Sequence, residues 1–206
     1  MATKRSFSIM GDSYSTFVGY IPENYSAYYP NPEKVPDVLR VEQTWWHQLM
    51  TKRNMELLEN DAYSGSTVCT VVRPEQKQSA SFVRRSECCL RGKQPDFLMV
   101  FGCTNDNWLD REVGQVQFAD WTEEDLQKVL PAYCYVLHQL KAANPTSKFL
   151  CIINTNFKQP LLEGLLCAAQ HYGATAVQLQ DIDKSNGHPT ALGMSQIAQQ
   201  IEKAMF

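Results

Sequence analysis

The residues best suited to chemistry are a serine near the start of the chain and a histidine near its end. Ser13 stands in Gly11-Asp12-Ser13-Tyr14-Ser15, directly after Phe7-Ser8-Ile9-Met10, whose alternation has the period of a strand. A serine just past the C-terminal end of a strand, beside a glycine, sits where a parallel α/β sheet puts its ligands and where backbone N–H groups face a substrate. Ser13 is therefore the candidate nucleophile. A serine hydroxyl is a weak nucleophile and needs a base within hydrogen-bond reach to take its proton as it attacks a carbonyl. Of the four histidines, His47 and His138 fall in helical stretches and His171 near a helix C-terminus. His188, ahead of Pro189 at the expected start of the last helix, is the candidate base.

Between these two lie Ser64-Gly65-Ser66-Thr67 and Gly102-Cys103-Thr104-Asn105-Asp106, and the histidine itself is in Asp183-Lys184-Ser185-Asn186-Gly187-His188-Pro189. This succession of serine, glycine, asparagine and histidine resembles the SGNH hydrolases, also called the GDSL esterase/lipase family, over nearly the whole chain. The resemblance implies an acyl-serine mechanism without a cofactor. It implies an oxyanion hole made by the Ser13 and Gly65 backbone N–H groups and the Asn105 side-chain amide, each such donor being worth about 3 to 4 kcal/mol of barrier. Only glycine lets backbone approach a ligand so closely. Asp12 and Asp106 read as structural, anchoring their loops through backbone hydrogen bonds. The chain lacks the Gly-x-Ser-x-Gly elbow of the α/β-hydrolases, which disfavours that architecture.

One departure from the family pattern concerns the acid. The family places an aspartate three residues before the histidine; here that position is Ser185, and the nearest acid is Asp183, with Asp181 further back. A histidine at a helix N-terminus faces the positive end of the dipole, which opposes imidazolium, so a partner that offsets it and sets the tautomer is expected. Asp183 is assigned that role, its loop making two extra residues of excursion; a backbone carbonyl or a water is the alternative.

The elements that must position these groups alternate. Strands are expected at Phe7–Met10, Met55–Asn60, Asp96–Gly102, Lys148–Asn154 and Ala174–Leu179, and helices at Glu42–Arg53, Ser81–Leu90, from Thr122 through Leu140, from Pro160 to Gly173, and from Pro189. Strands alternating with helices argue for a parallel sheet covered on both faces. The resemblance narrows this to an α/β, three-layer α/β/α, flavodoxin-like sheet of about five strands. Pro131 lies within an apolar stripe, and an interior proline costs roughly 3 kcal/mol, so a kink or two abutting helices are expected there. Two irregular stretches remain. Tyr14 to Arg40, rich in proline and tyrosine, is expected to form a wall of the substrate site, and Asn107 to Trp121, carrying Trp108 and Phe118, a second site-facing excursion. Tyr14, Tyr20 and Trp108 are the candidate substrate-binding residues.

At 206 residues the chain is one domain's worth, expected as a single unit over 1–206. With 44% hydrophobic and 20% charged residues it has an ordinary soluble composition, and a net charge of −3 gives no basic footprint for nucleic acid. The seven cysteines contain no C-x-x-C pair, and Cys151 and Cys167 lie in apolar runs, so they read as reduced core residues. The histidines lack metal-ligand spacing, so no metal is expected. The apolar run behind Met1-Ala2-Thr3-Lys4-Arg5 is too short for a signal peptide: as written the chain reads as cytoplasmic, and as periplasmic or secreted if a leader has been removed. No membrane insertion is expected.

These readings converge on a serine esterase for a small acyl group, an acetyl ester on a carbohydrate in the first instance. The alternatives are a lipase- or thioesterase-type acyl hydrolase, or a non-catalytic carbohydrate-binding module on the same fold, motivated by the displaced acid.

Overall fold

The computed structural model describes residues 4–90 and 92–205. The outermost residues of the expected 1–206 unit, with the Met1-Ala2-Thr3 start, lie outside the described residues. Five strands form one parallel sheet: β1 (Ser6–Gly11), β2 (Glu56–Ala62), β3 (Phe97–Phe101), β4 (Lys148–Ile153) and β5 (Thr175–Gln178), in the order β2-β1-β3-β4-β5. All five lie where the sequence pattern places them.

The helices are α1 (Trp45–Lys52), α2 (Phe82–Ser86), α3 (Thr104–Trp108), α4 (Val129–Ala143), α5 (Gln159–His171) and α6 (Ala191–Met205). They divide the core in two. Leu98, Val100, Phe149 and Cys151 pack on one face against α2, α4 and α5, while Phe97, Met99, Leu150 and Ile152 pack on the other against α1 and α6. This is the period-2 alternation of strands buried on both sides, and it makes the three-layer α/β/α arrangement.

The chain leaves β1 for β2 on one side of it and later enters β3 on the other. The β1–β3 boundary is thus the switch point of the sheet, where a crevice opens beyond the strand C-termini. Ser13 follows β1 and Asn105 follows β3, so the topology itself brings them to one edge.

The helical expectations need three adjustments. At Pro131 the outcome is abutting helices: the 3-10 turn Asp125–Gln127 ends at extended Lys128, and α4 starts anew at Val129. Pro131 falls in its first turn, where N–H groups have no intrahelical acceptor and the ring costs nothing. The helix expected over Ser81–Leu90 shrinks to α2. The last helix starts at Ala191 because His188-Pro189 is used otherwise, as strand β7 (His188–Pro189) of a small hairpin with β6 (Lys184–Ser185).

Cys69, Cys103, Cys134 and Cys151 are buried free thiols; Cys167, expected inside, is exposed on α5, as is Cys88 after α2.

Candidate active site

The turn after β1 is set by its own residues. The fully buried Asp12 accepts the Tyr14 N–H at 3.0 Å, and burial pushes its carboxyl up to about 7. Gly11 is obligatory, since a Cβ there would stand 2.8 Å from the Ser15 side chain. Ser13 opens a short 3-10 turn, Ser13–Ser15, with its N–H among the first-turn donors that have no intrahelical acceptor.

The hairpin at the other end of the chain brings the imidazole to this turn. Asn186 and Gly187 both have positive φ, 48° and 78°, as the two central residues of a type I′ connection require. Lys34 O accepts from both the Ser185 hydroxyl (2.8 Å) and the Asn186 amide (2.9 Å), tying the hairpin to the long loop. His188 Nε2 lies 2.9 Å from Ser13 Oγ, and its Nδ1 lies 3.2 Å from the Asn186 carbonyl oxygen. A carbonyl only accepts, so Nδ1 carries the proton and Nε2 is left as the acceptor for the serine O–H. Tyr28 stacks on the imidazole at 3.5 Å with an interplanar angle of 7°, and Trp108 meets it edge-on at 5.6 Å. Burial among these rings pushes the His188 pKa down to about 4, with the positive charges of Lys34 and Lys184 acting in the same direction and the Asn186 carbonyl opposing.

Beside this pair, Gly65 has a φ of +81°, and the Asn105 amide donates to Ser66 O at 3.0 Å while its carbonyl oxygen accepts from Arg73 Nη2 at 3.2 Å. Asp106 accepts the N–H groups of Val68 (2.8 Å) and Cys69 (3.2 Å), anchoring the loop after Gly65 as expected. Ser13, Gly65, Asn105, Trp108 and His188 share a cleft of about 380 Å³ whose other walls include Tyr28, Tyr63, Arg73 and Gln76.

The family model for GDSL-like lipase/acylhydrolase matches residues 5–205. The chain belongs to the GDSL-like lipase/acylhydrolase family. A Bacteroides ovatus protein described as a GDSL-like lipase is 36% identical, with 98% of each chain covered and a TM-score of 0.91. A counterpart from Bacteroides uniformis is also 36% identical, covering 98% of this chain and 95% of its own, at a TM-score of 0.90. A family two carbohydrate esterase from Clostridium thermocellum shares the fold at 13% identity, with 97% and 62% of the chains covered and a TM-score of 0.63. No curated protein matches. Ester hydrolysis is the general activity that membership of the GDSL-like family carries.

Within this GDSL-like site the expected third member of the triad is displaced. The Asp183 carboxylate accepts the Thr190 hydroxyl, and its backbone carbonyl accepts the Thr190 N–H at 3.2 Å; no hydrogen bond joins it to His188. Thr190 Oγ1 in turn accepts the Gly193 N–H at 3.1 Å, so Asp183 secures the entry to α6 instead of the imidazole. The tight Asn-Gly turn leaves no excursion by which the carboxylate reaches the ring. The alternative named from the sequence, a backbone carbonyl, occupies the place.

Two of the expected substrate contacts are also relocated. Tyr14 is fully buried and donates to Gly187 O at 2.5 Å, holding the hairpin from beneath; Tyr20 packs on Phe17 and Trp46, away from the cleft. Trp108 does line it. From the long loop, Ser26 and Tyr28 form wall, whereas Phe118 of the second excursion stacks on His171 at 3.7 Å outside the cleft. Tyr28, Arg73 and Gln76 had no sequence signal that separated them from loop residues. The Asn186-Gly187 pair did: it is a strong hairpin signature between short extended runs.

Proposed function

We propose that the protein is a serine esterase that removes a small acyl group, an acetyl in the first instance, from a carbohydrate. The observation that carries this reading is the buried 2.9 Å contact between Ser13 Oγ and the unprotonated Nε2 of His188. Ser13 attacks the ester carbonyl as its proton passes to Nε2. The oxyanion is met by the Ser13 and Gly65 N–H groups and the free N–H of the Asn105 amide. His188 returns the proton to the departing alcohol, then takes one from water as that water attacks acyl-Ser13, and gives it back to Ser13 Oγ as the acyl–oxygen bond breaks and the carboxylic acid leaves. The Asn186 carbonyl supports the transient imidazolium with a dipole where a carboxylate would use a full charge.

A cleft of about 380 Å³ suits a short acyl group, and the aromatic faces of Tyr28, Tyr63 and Trp108 among polar neighbours suit a sugar ring. The test is intact-mass labelling with a fluorophosphonate, alongside turnover of p-nitrophenyl esters of increasing chain length and of acetylated sugars. Stoichiometric labelling that vanishes in Ser13→Ala, with acetate preferred, supports the reading. A preference for long chains turns it to a lipase-type hydrolase. No labelling and no turnover leaves a carbohydrate-binding module on this fold.

A further inference from the structure

The turn Arg73-Pro74-Glu75-Gln76 lies over the loop that carries Gly65. It is closed by the Gln76 N–H donating to Arg73 O at 2.9 Å, and its two long polar side chains reach back to the site. Gln76 Nε2 donates to Ser64 O at 2.9 Å. Arg73 Nη2 donates to Asn105 Oδ1 at 3.2 Å, and Arg73 Nε lies 3.7 Å from where a Cβ on Gly65 would stand. The guanidinium therefore touches the surroundings of two groups that face the reacting carbonyl. Arg73 Nε is itself buried with no hydrogen-bond partner. A buried, unpaired N–H on a charged group is costly, and it is tolerated where an acceptor arrives during function.

We propose that Arg73 is a positioning residue of the oxyanion site, a role that rests on the serine esterase reading above. Asn105 sits between an acceptor-only group, Ser66 O, and a donor-only group, Arg73. Both flanks demand the same amide orientation, with Nδ2 toward Ser66 and Oδ1 toward the guanidinium. One amide hydrogen is thereby committed to Ser66 and the other is free. Donation from a cation to the amide oxygen draws electron density from the nitrogen and makes the remaining N–H a stronger donor. The guanidinium also brings a full positive charge next to the point where negative charge develops, which favours the transition state over the neutral ester. Glu75, exposed on the same turn and lining the same cleft, makes no ion pair with Arg73.

The experiment compares Arg73→Ala, Arg73→Lys and unaltered protein on p-nitrophenyl acetate, with kcat and KM separated, thermal melting recorded, and guanidinium added at millimolar concentration. Loss of a transition-state interaction predicts a kcat lowered about 10- to 100-fold in Arg73→Ala with KM changed less than about 3-fold, partial activity in Arg73→Lys, and partial recovery of Arg73→Ala by guanidinium. Recovery separates this from misfolding, which a free cation would not reverse. An unchanged kcat, a defect confined to KM, or a kcat loss that guanidinium leaves untouched overturns the assignment. A defect confined to KM and seen only with carboxylate-bearing esters makes Arg73 a substrate anion site instead. If the unaltered protein takes no fluorophosphonate at Ser13, the esterase reading fails and this one with it; if it labels fully while Arg73→Ala turns over normally, only the Arg73 assignment fails.

Discussion

The Nδ1 atom of His188 lies 3.2 Å from the carbonyl oxygen of Asn186, so the imidazole is oriented by the turn that presents it. Because Asn186 and Gly187 are the two central residues of that turn, the orientation is built into the hairpin and needs no separate loop. The interaction is a neutral dipole, weaker for imidazolium than a carboxylate.

The pH dependence follows from the burial of His188. Its pKa is pushed down to about 4, so the base remains neutral through pH 5 and 6. The acid limb of kcat/KM is expected near pH 4 instead of the usual histidine range around 6.5, and an NMR titration of the ring checks the same value. For stability the sign is set by the unfolded chain, which takes up the proton first as the pH falls. The contribution is constant above about 6.5 and falls between there and 4, by at most about 3 kcal/mol, as urea denaturation at several pH values would show.

Asp183→Asn is expected to keep fluorophosphonate labelling and activity within a few-fold, in contrast to the loss of about 10⁴ that follows removal of a working triad carboxylate. Its cost is structural, about 1 kcal/mol from the weakened Thr190 and α6 contacts, read as a lower Tm. A loss of activity on the triad scale would return Asp183 to the mechanism.

Gly187→Ala tests the hairpin. The position has φ +78°, and a Cβ would meet the Trp108 ring at 3.4 Å. Strain of about 1 kcal/mol is expected in stability, with a larger effect on kcat because any shift of the turn moves His188 from Ser13.

Tyr28 separates ring from hydroxyl. Its buried oxygen has no hydrogen-bond partner, so Tyr28→Phe is expected to be neutral or slightly stabilising and fully active. Tyr28→Ala removes the stacked face at 3.5 Å and opens His188 to water, so its ring pKa should rise toward 6.5 in the same titration.

Arg85 is the structural cation beneath the site. It is 1% exposed, pairs with Asp61 at 2.7 Å, and donates to Gly11 O at 3.1 Å and Ser66 Oγ at 3.2 Å. Arg85→Ala leaves Asp61 buried and unpaired, and a loss of about 3 to 5 kcal/mol in unfolding free energy is expected.

The uninterrupted apolar runs within Phe97–Phe101 and Lys148–Ile153, bounded by proline, glycine and polar residues and alternating with helical stretches, were enough to read a parallel sheet covered on both faces, because a strand buried on both sides is apolar throughout and that is a local property of the sequence. The positions of Ser13, Gly65, Asn105 and His188 were equally legible, since each is tied to a short block beside an element end. What only the tertiary structure decided is which groups touch. Asp183 and Asn186 both stand close before His188 in the chain, and the charge of the carboxylate, not its spacing, favoured Asp183. The type I′ turn reverses the chain within two residues, turns the Asn186 carbonyl to the ring and sends the carboxylate to Thr190. Tyr14 and Tyr28 carry the same chemistry on the same loop, yet one is core and the other covers the imidazole. Arg73 meets Asn105 across 32 residues of chain. Such contacts depend on how loops from different strands fold over one sheet edge, and no local periodicity encodes that.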